Sequence, residues 1–142
     1  MRKKKFFFII FEGIEGTGKS YQINKLTINL KKYGLDTHKT REPGGSKTAE
    51  KIRNLIFSKD SNSFDKLTDY YLINAARNEH VKKTLLLAKK QKKIVISDRF
   101  TDSTYAYQVI ANKIDNKINM MNQKYILKNL KPNLTIVLKS NF

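Results

Sequence analysis

Eight residues near the amino terminus read Gly13-Ile14-Glu15-Gly16-Thr17-Gly18-Lys19-Ser20 and fit G-x-x-x-x-G-K-[ST], the pattern of a phosphate-binding loop, or P-loop. The loop directly follows the apolar run Phe6–Phe11, and a buried strand is the context that this motif requires. The glycines allow successive backbone N–H groups to turn inward around phosphate oxygens. Lys19 adds a positive charge for the outer phosphates, and Ser20 adds a hydroxyl that can bind magnesium. A helix that begins near Lys19 directs its positive end at the same anion.

Length and composition limit the classes of protein to consider. A chain of 142 residues is long enough for one domain with a real core, so we expect a single domain over residues 1–142. The absence of cysteine excludes disulfides and cysteine-based metal sites. No apolar stretch reaches the length of a transmembrane helix, and Glu12 ends the first apolar run too early for a secretory signal. We therefore expect a cytoplasmic protein without a membrane partner.

The net charge of +17 would ordinarily indicate binding to nucleic acid. Of the 29 basic residues only five are arginines, and the lysines are scattered instead of concentrated on one helix face. The heavy use of Lys, Asn, Ile, Phe and Tyr is typical of an A/T-rich coding bias. We expect a solvated surface and no polynucleotide partner; a steeply salt-dependent interaction with DNA would favour the alternative.

The few arginines are informative because this chain uses lysine wherever a simple positive charge is enough. Arg2 lies in the basic amino-terminal tail, and the others are Arg41, Arg53, Arg77 and Arg99. A planar guanidinium can bind phosphate or carboxylate through two parallel hydrogen bonds, which lysine cannot do. We expect at least three of the latter four to line one anionic site; the alternative is that they are random products of codon usage.

Hydrophobic patterns predict the order strand, helix, strand, helix, helix, strand, helix, helix, strand. The predicted strands are Phe6–Phe11, Asp36–Thr40, Ile94–Ser97 and Leu134–Leu138. The predicted helices are Lys19–Tyr33 with Gly34 as its cap, Lys47–Phe57, Asp65–Lys90, Ser103–Ala111 and Asn119–Leu130, with a polar loop at Ser58–Ser63. This alternation predicts an α/β fold, a parallel sheet with helices on both faces. Ligands bind at the carboxyl ends of such strands, so we expect the P-loop, Arg41-Glu42-Pro43 and Asp98-Arg99 to meet at one edge.

Five motifs together resemble bacterial thymidylate kinase and keep the order and nearly the spacing of that family. They are Phe11–Ser20, Thr40–Gly45, Ala75–His80, Asp98–Gln108 and Pro132–Thr135. The resemblance implies the three-layer fold of P-loop nucleoside monophosphate kinases. It also implies transfer of a phosphoryl group from ATP to dTMP, giving dTDP for dTTP biosynthesis, with Mg2+ as cofactor. The family usually forms homodimers, so a second copy of the chain is an expected partner.

The resemblance further implies roles for individual residues. ATP is expected to bind to Gly13, Ile14, Glu15, Gly16, Thr17, Gly18, Lys19 and Ser20. The implied catalytic residues are Lys19, Arg99, Asp98 and Glu15, with Ser20 as a direct magnesium ligand and Asp98 in the magnesium shell. The implied dTMP-binding residues are Glu42, Pro43, Arg53, Ile73, Arg77, Arg99, Ser103, Thr104, Tyr107 and Gln108. Among these, Arg53 and Arg99 match arginines that hold the acceptor phosphate, and Arg77 matches one that binds thymine.

Several of these residues also have a purely structural interpretation. Arg77 can pair with a carboxylate beneath the sheet, and Asp98 can cap a helix. His80 is interpreted as structural and not catalytic. The residues that can equally be ordinary solvated surface are Thr104, Gln108 and Glu15.

The sequence departs from the family pattern in three respects. Ile73 stands where the family usually has an aromatic residue that stacks on the base. Gly16 leaves the P-loop without the arginine that some relatives carry there. The family's basic lid and last strand have no counterpart in the sequence, which predicts an open sheet edge. The alternative function is therefore a truncated module that binds nucleotides with weak or no catalysis.

A GTPase is a third possibility because Asn112-Lys113-Ile114-Asp115 matches the guanine motif N-K-x-D. A chain this rich in Asn and Lys produces such a match by chance at an appreciable rate. No D-x-x-G motif accompanies it, and no glycine follows Gly45. The sequence therefore disfavours a GTPase.

Overall fold

A parallel four-stranded sheet forms the centre of the protein. The computed structural model describes residues 5–58 and 64–139. The strands are β1 (Phe7–Glu12), β2 (Thr37–Arg41), β3 (Ile94–Asp98) and β4 (Leu134–Val137). They lie in the order β2-β3-β1-β4, and each neighbouring pair is parallel. The predicted α/β sheet is confirmed, and within the described ranges β4 has a partner strand on one side only.

The helices follow the predicted order. They are α1 (Lys19–Lys32), α2 (Lys47–Ile56), α3 (Lys66–His80), α4 (Leu86–Lys90), α5 (Thr101–Thr104) and α6 (Asn116–Leu127). Two π-helical segments were not predicted: Val81–Leu85 joins α3 to α4, and Tyr105–Ala111 continues α5. The predicted helix Asp65–Lys90 is thus continuous but changes its winding midway. None of the helices in the described part of the chain is long and apolar enough to cross a membrane.

Helix boundaries differ from the prediction where capping groups act. Asp65 is the N-cap of α3, and its carboxylate accepts hydrogen bonds from the backbone N–H groups of Leu67 and Thr68. Helix α6 begins earlier than predicted because Asp115 caps it, accepting from the Lys117 N–H at 2.8 Å. It also ends earlier, at a left-handed residue, Lys128. Of the predicted loop Ser58–Ser63, only Ser58 lies within the described residues, and Arg2 lies outside them.

Helices pack on both faces of the sheet, as predicted. Side chains alternate along a strand, so Ile9 and Phe11 of β1 point to one face, where they pack with Ile23 of α1. Phe8 and Ile10 point to the opposite face, where they pack with the π-helical segment Val81–Leu85 and with Leu130. Strand β1 is buried on both faces, which explains its uninterrupted apolar sequence.

The register of the sheet brings the three polar motifs to one edge. Phe11 pairs with Asp98 at the end of β1, and Arg41 pairs with the same Asp98 at the end of β2. The backbone N–H of Glu42 donates to the Asp98 carbonyl at 3.0 Å, which extends the pairing by one residue. The P-loop, Arg41-Glu42-Pro43 and Asp98-Arg99 therefore converge, as the sequence predicted.

Candidate active site

The P-loop joins β1 to α1, and its first residue, Gly13, has a backbone conformation that only glycine adopts without strain. Gly13 has a φ angle of 138°, and a Cβ there would lie 2.5 Å from the carbonyl oxygen of Leu138. Gly18 precedes α1 in the left-handed conformation, and the first N–H groups of the helix face the loop. The loop thus has the form of an anion-binding turn.

Lys19 lies in the interior of this loop. Its Nζ donates to the carbonyl oxygens of Gly13 and Ile14, both at 2.8 Å. Burial lowers the pKa of Lys19, and the neighbouring positive charge of Arg99 lowers it further. A positive charge held among other positive charges favours the binding of an anion.

Ser20 and Asp98 face each other beside the loop. Ser20 Oγ lies 3.4 Å from Asp98 Oδ2, longer than a strong hydrogen bond between two oxygens. Asp98 Oδ1 is buried and has no hydrogen-bond partner among the residues at 5–58 and 64–139. The interpretation of Asp98 as a helix cap is wrong, because Phe100 occupies the N-cap position of α5 without a side-chain cap. A hydroxyl and a carboxylate with an unsatisfied oxygen suit a hard cation that takes its other ligands from phosphate and water.

A cavity of about 800 Å³ opens beside the P-loop, between α3 and the π-helical segment Tyr105–Ala111. Every residue of the predicted dTMP-binding set except Arg53 lines it, and so does Glu15. Thr104 and Gln108 are buried, so their interpretation as surface residues is wrong. Glu15 is exposed at the mouth of the cavity, and Ile73 lies one helical turn from Arg77 on its wall.

A second cavity of about 540 Å³ lies over the P-loop and shares Glu15, Glu42, Pro43 and Arg99 among its lining residues with the first. Three of the four informative arginines line it: Arg41, Arg53 and Arg99. Arg53 donates to the Pro43 carbonyl at 2.8 Å. Burial and the nearby charge of Arg41 together lower the pKa of Arg53. The two cavities therefore adjoin across a cluster of positive charges.

Arg99 is held, through Ser103, by the buried carboxylate of Glu12, which is not among the predicted site residues. Its Nη1 donates to Ser103 Oγ at 3.0 Å, and that hydroxyl donates to Glu12 Oε2 at 2.6 Å. Glu12 Oε1 accepts from the Phe100 N–H at 2.8 Å. The Arg99 guanidinium also lies over the Tyr107 ring, 5.6 Å from its centre. An acidic residue at the end of an otherwise apolar strand, within the motif Phe11–Ser20, is the sequence signal for this role.

Arg77 forms the carboxylate pair that the structural interpretation anticipated, and it also lines the larger cavity. Its Nε donates to Glu42 Oε2 at 2.7 Å, and each of the two side chains is 2% exposed. Its Nη2 donates to Thr104 Oγ1 at 2.7 Å and to the Phe100 carbonyl at 3.2 Å. Within the described part of the chain, Nη1 has no partner. One nitrogen of this buried guanidinium is thus unsatisfied among the described residues, and Arg77 itself lines the larger cavity.

The charge state of Glu42 follows from its neighbours. Burial opposes ionisation, but the positive charge of Arg77 and the hydrogen bond from His80 outweigh it and hold the pKa of Glu42 below its ordinary value. His80 Nδ1 lies 2.8 Å from Glu42 Oε1. His80 does not line the cavity, in agreement with its structural interpretation.

The guanine-motif interpretation gains no support from the geometry. The Asp115 carboxylate is occupied as the cap of α6, and Asp115 does not line the larger cavity, whereas Asn112 does. No group of three or more His, Asp or Glu side chains is placed to hold a metal within residues 5–58 and 64–139. A metal at this site would therefore depend on phosphate oxygens as well as on Ser20 and Asp98.

Comparisons with known proteins point to one family. The family model for thymidylate kinase matches residues 11–142. Thymidylate kinase from Vesicomyosocius okutanii is 40% identical over 131 residues, which cover 92% of this chain and 64% of that protein. The one from Pelobacter propionicus is 41% identical over 133 residues, covering 93% of this chain and 60% of that protein. The chain thus spans less than two thirds of the length of these curated relatives.

A solved structure supports the same assignment. The crystal structure of thymidylate kinase from Ehrlichia chaffeensis superposes with a TM-score of 0.86 at 36% identity, covering 95% of this chain and 72% of that one. The superposition thus covers nearly all of this chain. The chain belongs to the thymidylate kinase family.

Proposed function

We propose that this chain transfers the terminal phosphoryl group of ATP to dTMP, giving ADP and dTDP, a step in dTTP biosynthesis. The observation that carries the proposal is the adjacency of the two cavities, which share Arg99 and Glu15. A donor phosphate bound at the P-loop and an acceptor phosphate in the larger cavity would meet at Arg99. Phosphoryl transfer needs mainly this alignment, together with positive charge around the moving group.

On the donor side, the loop amides and Lys19 would bind the ATP phosphates. Lys19 Nζ, which now donates to loop carbonyls, would redirect its protons to the outer phosphates. Ser20 would bind Mg2+ directly and Asp98 would bind it through water. When bound, this ion would neutralise negative charge on the phosphates. Asp98 Oδ1, buried and unsatisfied within the described ranges, supports this assignment.

On the acceptor side, Arg53 and Arg99 would hold the dTMP phosphate. Deeper in the cavity, the free Nη1 of Arg77 suits an oxygen acceptor on the base, and buried Gln108 adds an amide that can both donate and accept. Ile73 would cover the base by apolar contact. The cavity residues nearest the sugar would be Glu15, Pro43, Ser103 and Tyr107.

A second candidate, a module that binds both nucleotides with negligible turnover, is favoured by one feature. Gly16 has a φ angle of 80° and no side chain, so the P-loop itself adds no cation near the transferred group. Arginines in that role contribute about 10³- to 10⁵-fold to the rate in other phosphoryl-transfer systems.

Parallel measurements of turnover and binding separate the two candidates. The kinase predicts ADP formation that depends on dTMP, whereas the binding module predicts dTMP binding by calorimetry without ADP formation. Lys19→Ala should abolish ATP binding, and Lys25→Ala, on an exposed face of the same helix, serves as its matched control. Failure of the wild-type chain to bind dTMP would contradict both candidates.

We also propose that two copies of the chain associate through their helices. Helix α6 exposes Met120, Met121 and Tyr125, each more than half accessible, and neighbouring exposed apolar side chains suit an interface between protein chains. Light scattering after size-exclusion chromatography tests this: a molar mass near 16.5 kDa at micromolar concentration would contradict it.

A further inference from the structure

A chain of buried hydrogen bonds lies behind the larger cavity and ends on Arg77. Thr40 Oγ1 lies 2.7 Å from His80 Nε2, and His80 Nδ1 lies 2.8 Å from Glu42 Oε1. The other oxygen of Glu42 accepts from Arg77 Nε at 2.7 Å. All four side chains are buried, and the His80 ring is 0% exposed. Two chain segments, β2 with the loop after it and the last turn of α3, are thereby connected.

The His80 ring has a fixed place in this network. A carboxylate can only accept, so Nδ1 carries the proton that is donated to Glu42, and in the neutral ring Nε2 accepts from the Thr40 hydroxyl. The backbone at Gly45 packs directly on the ring: a Cβ there would lie 2.5 Å from His80 Nε2 and would also overlap Thr40 Oγ1. Thr84 Oγ1 holds that backbone by donating to the Gly45 carbonyl at 2.6 Å.

We propose that His80 is a positioning residue for Arg77 and acts through Glu42. By occupying Oε1, His80 leaves only Oε2 for the arginine, so the pair forms one hydrogen bond through Nε. Nη2 is then available to Thr104, and Nη1, which has no partner among the described residues, is the nitrogen that we assign to the ligand. This inference rests on the proposed function, because the ligand in question is the acceptor nucleotide.

Removal of His80 leaves Glu42 Oε1 without a hydrogen-bond donor. An unpaired charged oxygen in a buried site is costly in free energy. Carboxylates and guanidinium groups pair readily through two parallel hydrogen bonds. Glu42 would therefore recruit Arg77 Nη2 away from Thr104, and the guanidinium plane would turn with it. The position of the unpartnered Nη1 relative to the cavity would change as well.

Two substitutions at position 80 test the proposal. His80→Leu removes both hydrogen bonds, whereas His80→Asn retains a donor near the place of Nδ1. We expect the affinity for dTMP to fall about tenfold in His80→Leu and to recover substantially in His80→Asn. The affinity for ATP should remain unchanged in both. Tyr70→Phe, which removes another buried hydrogen bond of α3, that to Asn122, is the matched control and should lower stability without changing dTMP affinity.

A double-mutant cycle shows whether His80 acts through Arg77. In an Arg77→Lys background, His80→Leu should cause little further loss of dTMP affinity. Fully additive losses, or equal losses of ATP and dTMP affinity, would overturn the proposal. If His80→Leu does not fold, Thr40→Val weakens the same chain from its other end and should give a smaller loss of the same kind.

A measurement without nucleotide keeps this inference separate from the proposed function. The Arg77 Nη–H signals in the NMR spectrum at low temperature, assigned by their absence in Arg77→Lys, should move downfield in His80→Leu, because Nη2 exchanges the Thr104 hydroxyl for a carboxylate oxygen as its acceptor. Unchanged Nη–H signals would overturn the positioning role. A downfield shift in a chain that binds no dTMP would support the coupling of His80 to Arg77 and contradict only the proposed function.

Discussion

The Ser20 hydroxyl and the Asp98 carboxylate face each other at the carboxyl end of the sheet, with Oγ 3.4 Å from Oδ2. Ser20 comes from the start of α1, and Asp98 comes from the end of β3. This contact is long for a hydrogen bond between two oxygens, and Asp98 Oδ1 has no partner in the described ranges. The pair therefore presents oxygen ligands on the side of the P-loop where the phosphates of a nucleotide would lie.

Asp98→Asn should weaken the magnesium dependence of ATP binding, because an amide carries no charge for the ion and its waters. We expect the apparent magnesium affinity to fall by about 10-fold or more. Calorimetric titration of ATP at a series of magnesium concentrations measures this. Asp102→Asn, an exposed carboxylate close by in α5, should leave the titration unchanged. The same magnesium dependence in Asp98→Asn and the wild type would contradict the assignment.

Arg77→Met and Arg41→Met should differ widely in stability. Arg77→Met leaves Glu42 buried without its ion partner, which should cost about 3–5 kcal/mol of unfolding free energy. Arg41 pairs with Glu50 at 2.8 Å, but those side chains are 53% and 34% exposed, so its loss should cost less than about 1 kcal/mol. Urea denaturation of both variants measures the difference. Equal costs would show that the buried pair adds nothing beyond an exposed one.

Glu42 should make stability depend on pH in the acid range. The pKa of Glu42 is lowered in the folded state, whereas a glutamate in an unfolded chain has a pKa of about 4.3. As the pH falls through that value, the unfolded chain binds a proton that the folded chain does not, so the unfolding free energy decreases. Its contribution is complete above the unfolded pKa and is lost as the pH falls through the folded pKa.

Glu42→Gln should therefore be less stable at neutral pH and should lose part of the acid slope, by up to about 1.4 kcal/mol per pH unit. Urea denaturation between neutral pH and the acid limit of folding measures the slope for both proteins. If the unfolding free energies of the two proteins changed with pH in parallel, Glu42 would titrate alike in the folded and unfolded states.

Ile73→Phe should strengthen dTMP binding. Ile73 lines the larger cavity one turn from Arg77, and an aromatic ring there can stack on a base with a gain of about 0.5–1.5 kcal/mol. Calorimetry with dTMP should show an affinity about 2- to 10-fold higher. Leu67→Phe adds the same ring on an exposed part of α3 and should change nothing. Unchanged or weaker binding in Ile73→Phe would place the base elsewhere in the cavity.

The sequence predicted the elements of this fold well because its strands and helices differ strongly in pattern. Phe6–Phe11 is an uninterrupted apolar run that suits a strand buried on both faces, and Lys19–Tyr33 has the helical spacing of an amphipathic element. The π-helical segments Val81–Leu85 and Tyr105–Ala111 were not predicted. A π-helical turn contains one more residue than an α-helical turn, so it changes which side chains face the core. Neither segment contains a Gly or Pro, so the sequence gives no local signal of the change.

The candidate site was predictable where a motif is local and not where partners are distant in sequence. The P-loop is contiguous, so its residues could be identified directly. The partners of Glu42 are Arg77 and His80, which lie 35 and 38 residues away along the chain. Glu12 reaches Ser103 across 91 residues. Spacing patterns carry no information about such contacts, so the buried network that orients the arginines appears only in the folded chain.

The close approach of Gly45 to the His80 ring also limits which residues can occupy position 45. Gly45 has a φ angle of 83°, and the space that a Cβ would need is already filled by the ring. Thr40 Oγ1 occupies the same space, and the positive φ angle strains any L side chain at position 45. Glycine at position 45 is therefore a condition for keeping the hydrogen bond between Thr40 and His80, so two residues remote in sequence limit which residue evolution can place at a third.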